Sequence, residues 1–409
     1  MEAIVSKGKI VLAYSGGLDT SYCLLALREQ GWDVVAVTVD TGGFSAVEMQ
    51  EIKDRAEGLG VRHLAIDARA EVYRDFVTYI VKGNVLRGGV YPLCVAAERV
   101  QQAIVCARVA REEGAAAVAH GSTGAGNDQV RFDAVLRTLL PQIELIAPIR
   151  EGRVSRAEST ARLRAAGIEV EDRTTDFSIN ASLWGTTIGG REIHDAWQYP
   201  SEDVWELTKG RADPIEVIIG FEAGEPISLD GERYDGPELI ARLNDIAGAR
   251  GFGRGMHLGD TIIGIKGRIA FEAPAPLVLI KAHQELEKLV LTRWQQFWKG
   301  NISGFYGQLL HEGLYFDPVM RDIEAYLDSS QQRVTGEVRV YLGEGQAIVR
   351  GQRSPHSLVA SEIARYGEDN AYWNGADARG FCKLLPLQAA MATWRDAASN
   401  EAETAPQES

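Results

Sequence analysis

The sequence has few basic residues for its length and no long hydrophobic run. It contains 43 Lys and Arg against 57 Asp and Glu in 409 residues, a formal net charge of −14. A chain this acidic repels nucleic acid and anionic membranes, because both carry negative charge. No apolar stretch is long enough for a membrane-spanning helix, and Lys7 and Lys9 lead straight into the first predicted strand. We therefore expect a cytoplasmic protein that binds neither nucleic acid nor membranes.

Cysteine and histidine are also scarce. The four cysteines, Cys23, Cys94, Cys106 and Cys382, lie far apart and form no Cys-x-x-Cys pair. They predict neither a zinc site nor a disulfide framework, so we expect reduced, structural thiols. The seven histidines show no paired metal-ligand spacing. A lone histidine such as His120 is more often a hydrogen-bonded structural residue than a catalytic one.

The first 173 residues alternate between predicted strands and helices. Short apolar runs are typical of buried parallel strands, and the stretches between them have helical spacing and end at glycines. This pattern predicts an α/β domain with a parallel sheet over residues 1–173. The predicted strands are 10–12, 34–39, 61–66, 115–119 and 143–147, and the predicted helices include 47–57, 70–81, 97–113 and one that starts at a Ser155/Glu158 capping box.

A different pattern follows residue 173. Residues 215–221 and 227–229 are predicted as antiparallel strands, 237–249 as a helix, and 333–341 as a strand paired with 346–350. Residues 278–306 carry apolar and aromatic side chains at helical spacing, which predicts core or subunit contacts. We expect an α+β domain over 174–380. A C-terminal helix and tail over 381–409 should follow, disordered at 401–409.

A glycine-rich loop joins the first predicted strand to the first predicted helix. Its sequence is Ala13-Tyr14-Ser15-Gly16-Gly17-Leu18-Asp19-Thr20-Ser21. Adjacent glycines allow close backbone approach, and hydroxyls lie beside amides at a helix N-terminus, so the loop suits a phosphate-like anion. No Gly-Lys-Ser/Thr follows, and the spacing differs from the dinucleotide fingerprint. The plainer interpretation is a Gly-Gly turn that caps a helix.

A second polar segment follows the strand predicted at 115–119. It has the sequence His120-Gly121-Ser122-Thr123-Gly124-Ala125-Gly126-Asn127-Asp128-Gln129-Val130-Arg131-Phe132. Ligands gather at such carboxyl ends of parallel strands. The first loop resembles that of the ATP pyrophosphatases, which cleave ATP to AMP and pyrophosphate. The second segment resembles the aspartate- and ureido-binding segment of the argininosuccinate synthase family, and residues 351–358 resemble a late segment of that family.

The resemblance implies an AMP-forming, ATP-dependent carbon–nitrogen ligase. Its first domain would have the adenine nucleotide α-hydrolase-like fold, and residues 174–380 would serve synthesis and assembly into a homotetramer. A ureido oxygen would attack the α-phosphorus of ATP, and the amino group of L-aspartate would then displace AMP. ATP and Mg²⁺ are the implied cofactors, and L-aspartate and citrulline, or a ureido analogue, are the implied substrates. Such chemistry asks the protein chiefly for positioning and charge stabilisation.

The same resemblance assigns roles to individual residues. ATP would be bound by Ala13, Tyr14, Ser15, Gly16, Gly17, Leu18, Asp19, Thr20, Ser21, Val39 and Gly121. Thr123, Asn127 and Asp128 match contacts to aspartate, and Asn127 with Arg131 matches contacts to the ureido substrate. Tyr91, Arg99, Ser178 and Thr187 complete the implied substrate contacts. The residues implied to act in catalysis are Ser15, Asp19, Asn127 and Asp128.

Several positions depart from the family pattern. Ala125 replaces a family lysine, Ala96 a serine or threonine, residues 180–182 an Asp-Glu-Asn run, Gly259 a glutamate and Phe271 a tyrosine. The last two family residues belong to the end of the site that holds the amino-acid head of citrulline, so their loss weakens recognition of an α-amino group. Two interpretations stay open. The acceptor is a modified or larger ureido compound, or it is citrulline with Ser182, Asp260 or Thr187 supplying the missing contacts.

Two other functions are weaker alternatives. A tRNA-modifying ATP pyrophosphatase would need a basic surface and reactive cysteines, whereas this chain is acidic and has none in sulfur-transfer spacing. A homologue that has lost catalysis and serves a structural or regulatory role would also account for the missing contacts. Pyrophosphate release in the presence of ATP, aspartate and ureido compounds separates the three.

Overall fold

The computed structural model describes residues 7–168, 177–359, 364, 366 and 372–404. The chain divides into two compact units, Met1–His356 and Ser357–Ser409. The domain boundary predicted at residue 173 lies outside the described residues.

A five-stranded parallel sheet forms the first part of the larger unit, as the alternating sequence pattern predicts. The strands are β1 (Lys9–Ala13), β2 (Asp33–Asp40), β3 (Arg62–Asp67), β4 (Ala117–Ala119) and β5 (Glu144–Ile146). Their order in the sheet is β3-β2-β1-β4-β5, and every pair is parallel. The chain therefore reverses its progression across the sheet between β1 and β4. A crevice opens at the carboxyl ends of strands at such a point.

Helices cover both faces of this sheet. They are α1 (Leu18–Glu29), α2 (Ala46–Gly58), α3 (Arg69–Val72), α4 (Thr78–Gly83), α5 (Ala96–Glu112), α6 (Asp128–Leu139), α7 (Pro148–Gly152) and α8 (Arg156–Ala165). Successive strand residues point to opposite faces. Accordingly, Ile10 and Leu12 pack in one core with Leu24 of α1, and Val11 packs in another with Val100 of α5.

The helix and the capping box that the sequence predicts in this part of the chain are confirmed, with one change in the helix. The helix predicted at 70–81 is present, but a π-helical turn over Tyr73–Val77 separates α3 from α4. Ser155 and Glu158 form the expected capping box before α8. Cys23, Cys94 and Cys106 are buried free thiols, and Cys382 is an exposed one.

Antiparallel sheets form the rest of the larger unit, which confirms the predicted change of architecture. The strands are β6 (Ser178–Ser182), β7 (Gly185–Gly189), β8 (Ile215–Glu222), β9 (Glu225–Leu229), β10 (Glu232–Arg233), β11 (Arg254–Asp260), β12 (Lys266–Glu272), β13 (Gly336–Gly343) and β14 (Gln346–Arg353). One sheet has the order β10-β9-β8-β13-β14 and the other β11-β12-β7-β6. The second sheet contributes residues to the site described below.

The helices of this part are α9 (Gly236–Gly248), α10 (Pro274–Val290), α11 (Arg293–Glu312) and α12 (Pro318–Gln331). The stretch predicted as helical at 278–306 is two helices, because Leu291 is extended and Thr292 starts α11 with a capping box. Leu286 and Val290 are buried, as expected for core residues. The core assignment is wrong for Trp294 and Phe297, which are 61% and 56% exposed. Contact of these rings with another subunit stays a prediction.

The smaller unit contains α13 (Gly375–Leu384) and α14 (Leu387–Thr404). The disorder predicted for 401–409 is wrong for residues 401–404, because α14 includes them, and residues 405–409 lie outside the described part of the chain. Within the described residues, no helix is both long and apolar enough to span a membrane.

Candidate active site

The glycine-rich loop leaves the end of β1 and enters α1, as the sequence predicts. Its hydroxyls are tied into the turn: Ser15 Oγ and Thr20 Oγ1 lie 3.1 Å apart, and the Ser15 N–H donates to Thr20 Oγ1 at 3.3 Å. Gly17 is the N-cap of α1 and offers no side-chain cap. Helix N-terminal amides without a side-chain partner favour an anion such as phosphate.

The two glycines of the loop serve different needs. Gly16 has a φ of +71°, and a Cβ on it would lie 2.6 Å from Cγ1 of Ile52 on α2. Arg55, also on α2, donates to the carbonyl of Gly16. Gly17 has an ordinary φ of −73°, and a Cβ on it would approach Ser15 Oγ at 3.3 Å. The fold therefore requires glycine at position 16, whereas position 17 is exposed and free for a ligand to approach.

The ends of neighbouring strands bring further predicted nucleotide residues to the loop. Ala13 pairs with Val37 of β2, and the Tyr14 N–H donates to the Val37 carbonyl at 2.9 Å. Val39 lies two residues further along β2 and is buried. The ends of β1 and β2 are thus adjacent, as their assignment to one nucleotide site requires.

The second polar segment touches the first loop. A Cβ on Gly121 would lie 3.0 Å from Thr20 Cγ2 and 3.3 Å from the carbonyl carbon of Asp19. Ser21 donates to the Gly16 carbonyl at 3.3 Å, and Leu18 is buried beneath the turn. Burial raises the pKa of the Asp19 carboxyl, although the charge of Arg156 opposes the shift. Residues more than 100 positions apart therefore meet at one edge of the sheet.

His120 is a structural residue, as expected. Its Nδ1 accepts from the Ser122 N–H at 3.2 Å, and its Nε2 lies 3.0 Å from Asp133 Oδ1. Since Nδ1 accepts, the ring proton is on Nε2 and is donated to the carboxylate. Nδ1 therefore fixes the backbone turn at the start of the second segment, and Nε2 holds that start to α6.

Asp128 opens α6 and lies between two arginines. Its two oxygens accept from Arg99 Nε and Arg131 Nη1, both at 2.9 Å. Arg99 also donates to Glu98 and to Asn180 Oδ1 on β6. Burial raises the pKa of Asp128, but the two guanidiniums outweigh burial and hold it below its usual value. The carboxylate is thus ionised at neutral pH, and its side chain is still 31% exposed to an incoming group.

Asn127 and Arg131 connect α6 to the second part of the unit. Asn127 Oδ1 accepts from the Ile262 N–H, in the turn between β11 and β12, at 2.8 Å. Arg131 Nε donates to the His311 carbonyl at 2.9 Å, and Nη2 donates to the His311 ring Nδ1 at 3.1 Å. Arg131 is only 5% exposed. Its guanidinium is therefore held rigidly beside Asp128.

Tyr91 is buried next to this group. Its hydroxyl accepts from the Val95 N–H at 3.3 Å. Its ring stacks on His257 with centroids 5.5 Å apart, and it meets Phe271 at 5.3 Å. Tyr91, a predicted substrate residue, is therefore in direct contact with Phe271, which replaces a tyrosine of the family pattern.

The remaining predicted substrate residues differ in exposure. Thr187 of β7 is 6% exposed and pairs with Asn180, the partner of Arg99. Ser178 lies two residues before Asn180, so both lie on the same face of β6, and it is exposed. Thr123 is exposed in the loop that precedes α6.

Sequence analysis missed Arg87, His257 and His311. Arg87 donates to the Asp260 carbonyl at 2.9 Å and to Gln308 Oε1 at 3.1 Å. These residues come from the loop after α4, from β11 and from the end of α11, so no local motif could have grouped them. Only the packing of α6 against the second part of the unit reveals them.

Comparisons with known proteins point to one family. The family model described as the arginosuccinate synthase N-terminal HUP domain matches residues 9–169, and that of the C-terminal domain matches residues 177–392. An argininosuccinate synthase of Dictyoglomus thermophilum is 39% identical over 388 residues, which cover 94% of this chain and 97% of that protein. Argininosuccinate synthases of Methanocaldococcus jannaschii and Pyrococcus furiosus are each 40% identical. Their alignments cover 93% and 94% of this chain and 96% and 94% of the relatives.

Proposed function

Because the chain belongs to the argininosuccinate synthase family, we propose that it condenses L-aspartate with citrulline or a related ureido compound, driven by cleavage of ATP to AMP and pyrophosphate. One observation carries the proposal. The two polar loops meet so closely that a Cβ on Gly121 would lie 3.0 Å from the Thr20 side chain. A phosphate held at the first loop and an amino acid held at the second would therefore be neighbours.

ATP would place its phosphates at the start of α1, with the Gly16 and Gly17 backbone and the Ser15 hydroxyl around them. Mg²⁺ commonly binds one or two carboxylates together with substrate phosphates. Asp19, whose carboxyl lies in the loop that would hold the phosphates, would supply such a carboxylate. When bound, the ion would offset the negative charge that develops on pyrophosphate as it leaves.

The proposed reaction has two balanced steps. The ureido oxygen bonds to the α-phosphorus while the bond to pyrophosphate breaks. The amino nitrogen of aspartate then attacks the ureido carbon, the carbon–oxygen bond to AMP breaks, and the nitrogen loses a proton. ATP provides both leaving groups, so the protein's contribution is orientation and charge stabilisation.

Asp128 would orient the aspartate donor. Its carboxylate stays ionised between Arg99 and Arg131, so it acts as a charge partner for the donor's amino group rather than as a proton acceptor. Asn127, tied to the β11–β12 turn through Ile262, would keep its amide nitrogen available to either substrate.

Arg131 would bind the ureido acceptor through a carboxylate. Two of its nitrogens are held by His311 and a third by Asp128, which fixes the plane of the guanidinium. A fixed, planar fork is the geometry that recognises a carboxylate. Tyr91, Ser178 and Thr187 would line the remainder of the acceptor site.

An isotope experiment tests the reaction directly. A ureido compound labelled with heavy oxygen at the ureido position is incubated with enzyme, ATP, Mg²⁺ and L-aspartate. The label should appear in AMP and not in pyrophosphate, because the ureido oxygen bonds to the α-phosphorus and leaves with it. Label retained in the carbon product, or pyrophosphate release that needs no ureido compound, would contradict the proposal.

We also propose that the protein is a cytoplasmic homotetramer with domains at 1–173, 174–380 and 381–409. The two family models, which match 9–169 and 177–392, support a boundary between them. Exposed apolar side chains support assembly: Trp294, Phe297 and Trp298 on α11, and Leu384 and Trp394 in the smaller unit, are each at least half exposed. Large exposed apolar patches usually mark contact surfaces.

A further inference from the structure

Five side chains, not counting Asp128, form a group that we call the cationic cluster. They are Arg87, Tyr91, Arg131, His257 and His311. Tyr91 stacks on His257, and Arg131 donates to His311. Burial, and after it the charges of Arg131, Arg87 and His257, lower the pKa of His311 to about 3. The two histidines are therefore held in their neutral form, and Arg87 and Arg131 carry the positive charge of the cluster. The cluster adjoins the guanidinium proposed to bind the acceptor.

His311 carries a buried donor that has no partner. Its Nδ1 accepts from Arg131, so the proton of the neutral ring is on Nε2. The residue is 5% exposed, and in the described part of the chain Nε2 finds no hydrogen-bond partner. A buried donor without an acceptor is unfavourable. A ligand oxygen would relieve it.

His257 fills the space above Gly259. A Cβ on Gly259 would lie 2.6 Å from His257 Nε2, and a Cβ on Gly88 would lie 3.1 Å from its Cε1. His257 and Gly259 are two residues apart on β11 and therefore share a face. The imidazole thus occupies the space that an acidic side chain at position 259 would need.

Of the three acids around the cluster, Asp128 and Asp260 are in ion pairs, and Glu312 accepts a hydrogen bond from a neutral amide. The negative charges of Glu312 and Asp260 act on Arg87 and raise its pKa, against the larger effect of burial. Asp260 pairs with Lys266 at 2.6 Å, and Glu312 accepts from Gln308. Asp128 is held by its two arginines.

Ser182, one of the residues that could have replaced the missing contacts, is also engaged. Its hydroxyl lies 3.1 Å from the carbonyls of Cys94 and of Gly185. The same hydroxyl accepts from the Trp184 N–H at 3.3 Å, so Ser182 is engaged both as a donor and as an acceptor, and Asp260 is engaged through Oδ1 in its ion pair with Lys266. Thr187 could supply a hydroxyl but no charge.

We propose that the ureido acceptor presents a carboxylate to the cationic cluster and carries no free ammonium beside it. An N-acylated citrulline and an ω-ureido acid without an α-amino group are two members of this class. The inference rests on the ligase function proposed above. A carboxylate would accept from Arg131 and from His311 Nε2, whereas an ammonium would lie near the two guanidiniums of the cluster while Asp128 and Asp260 are already in ion pairs with other cations.

Three acceptors test the inference on the unaltered enzyme. Pyrophosphate release is measured with citrulline, Nα-acetylcitrulline and δ-ureidovalerate, each at saturating ATP, Mg²⁺ and L-aspartate. We expect kcat/KM for Nα-acetylcitrulline or δ-ureidovalerate to exceed that for citrulline at least tenfold. Citrulline equal to or better than both would overturn the inference and leave the ligase function standing. No release with any of the three would overturn the ligase function, and the inference with it.

A pair of double variants isolates the charge. His257→Ala/Gly259→Glu removes the ring and supplies a carboxylate, and His257→Ala/Gly259→Gln has the same shape without the charge. The Glu variant should shift the preference toward citrulline at least tenfold relative to the Gln variant. Equal preference ratios in the two folded variants would overturn the electrostatic reasoning. If either variant fails to fold, the comparison on the unaltered enzyme decides.

Discussion

Gly16→Ala and Gly17→Ala are the same chemical change at adjacent positions, and we expect them to have different effects. At position 16 the backbone has a φ of +71°, which alanine would have to adopt, and the new methyl group would lie 2.6 Å from Ile52 Cγ1. At position 17 the backbone is extended and the methyl group would approach Ser15 Oγ at 3.3 Å. One change should damage the fold, and the other should damage the ligand site.

The magnitudes follow from these contacts. A left-handed conformation costs a non-glycine residue roughly 1–2 kcal/mol, and overpacking against buried Ile52 adds about 1–3 kcal/mol. Gly16→Ala should therefore lower the free energy of unfolding by about 2–5 kcal/mol. Gly17→Ala should stay within about 1 kcal/mol of the unaltered protein, because alanine also reduces the entropy of the unfolded chain.

Nucleotide affinity should behave in the opposite way. A methyl group at position 17 occupies space where phosphate approaches the backbone, so we expect ATP binding at least tenfold weaker, a change of about 1.4 kcal/mol. Gly17→Val should leave no measurable heat of ATP binding. Denaturant unfolding and titration calorimetry on the three variants measure both effects. A folded Gly17→Val protein with unaltered ATP affinity would refute the phosphate-loop assignment, and a fully stable Gly16→Ala protein would refute the packing argument.

Three further outcomes are expected. Asp128→Asn should raise the KM for aspartate about 10- to 150-fold, since a charge-assisted hydrogen bond contributes about 1.5–3 kcal/mol; an unchanged KM in steady-state kinetics would argue against the role. The folded protein lowers the pKa of His311 to about 3, so the unfolded chain takes up that proton first. The contribution of His311 to the free energy of unfolding should therefore be fully present above about pH 6.5, the usual pKa of histidine. Between that pH and about pH 3 it should fall by up to roughly 1.4 kcal/mol per pH unit on acidification. His311→Gln should remove that component, and identical pH slopes in unfolding experiments would contradict it. Deleting residues 381–409 should change the assembly state, because it removes exposed apolar side chains such as Leu384; unchanged assembly in light scattering would count against this.

The sequence by itself determined the features that depend on short-range physics. The glycine pair at 16 and 17, the capping box at Ser155 and the alternation of strands and helices each arise from conformational preferences within a few residues. The parallel order of the first sheet also follows, because a strand, helix and strand connected in this way return in the same direction. From such local signals the phosphate-binding role of the first loop and the position of the second polar segment could be predicted, and the family could be predicted from the resemblance of these two motifs.

Periodicity alone did not decide what covers a helix. The spacing of residues 278–306 predicted a buried stripe, but Trp294 and Phe297 are largely exposed in this chain. A repeat of apolar side chains shows that a helix has an apolar side, and it does not show whether the same chain, or another one, packs against it.

Tertiary structure decided the charge balance of the candidate site. Arg131 and His311 are 180 residues apart in sequence, and His257 comes from a third element. Sequence analysis assigned Asp128 to a ligand, and only the fold shows that its carboxylate also lies between Arg99 and Arg131. Electrostatic interactions depend on distance in space and on burial, and both are set only when remote segments pack together. The sequence left two kinds of acceptor open, and only the folded chain supplied the charges and hydrogen bonds from which an acceptor without an ammonium group is proposed.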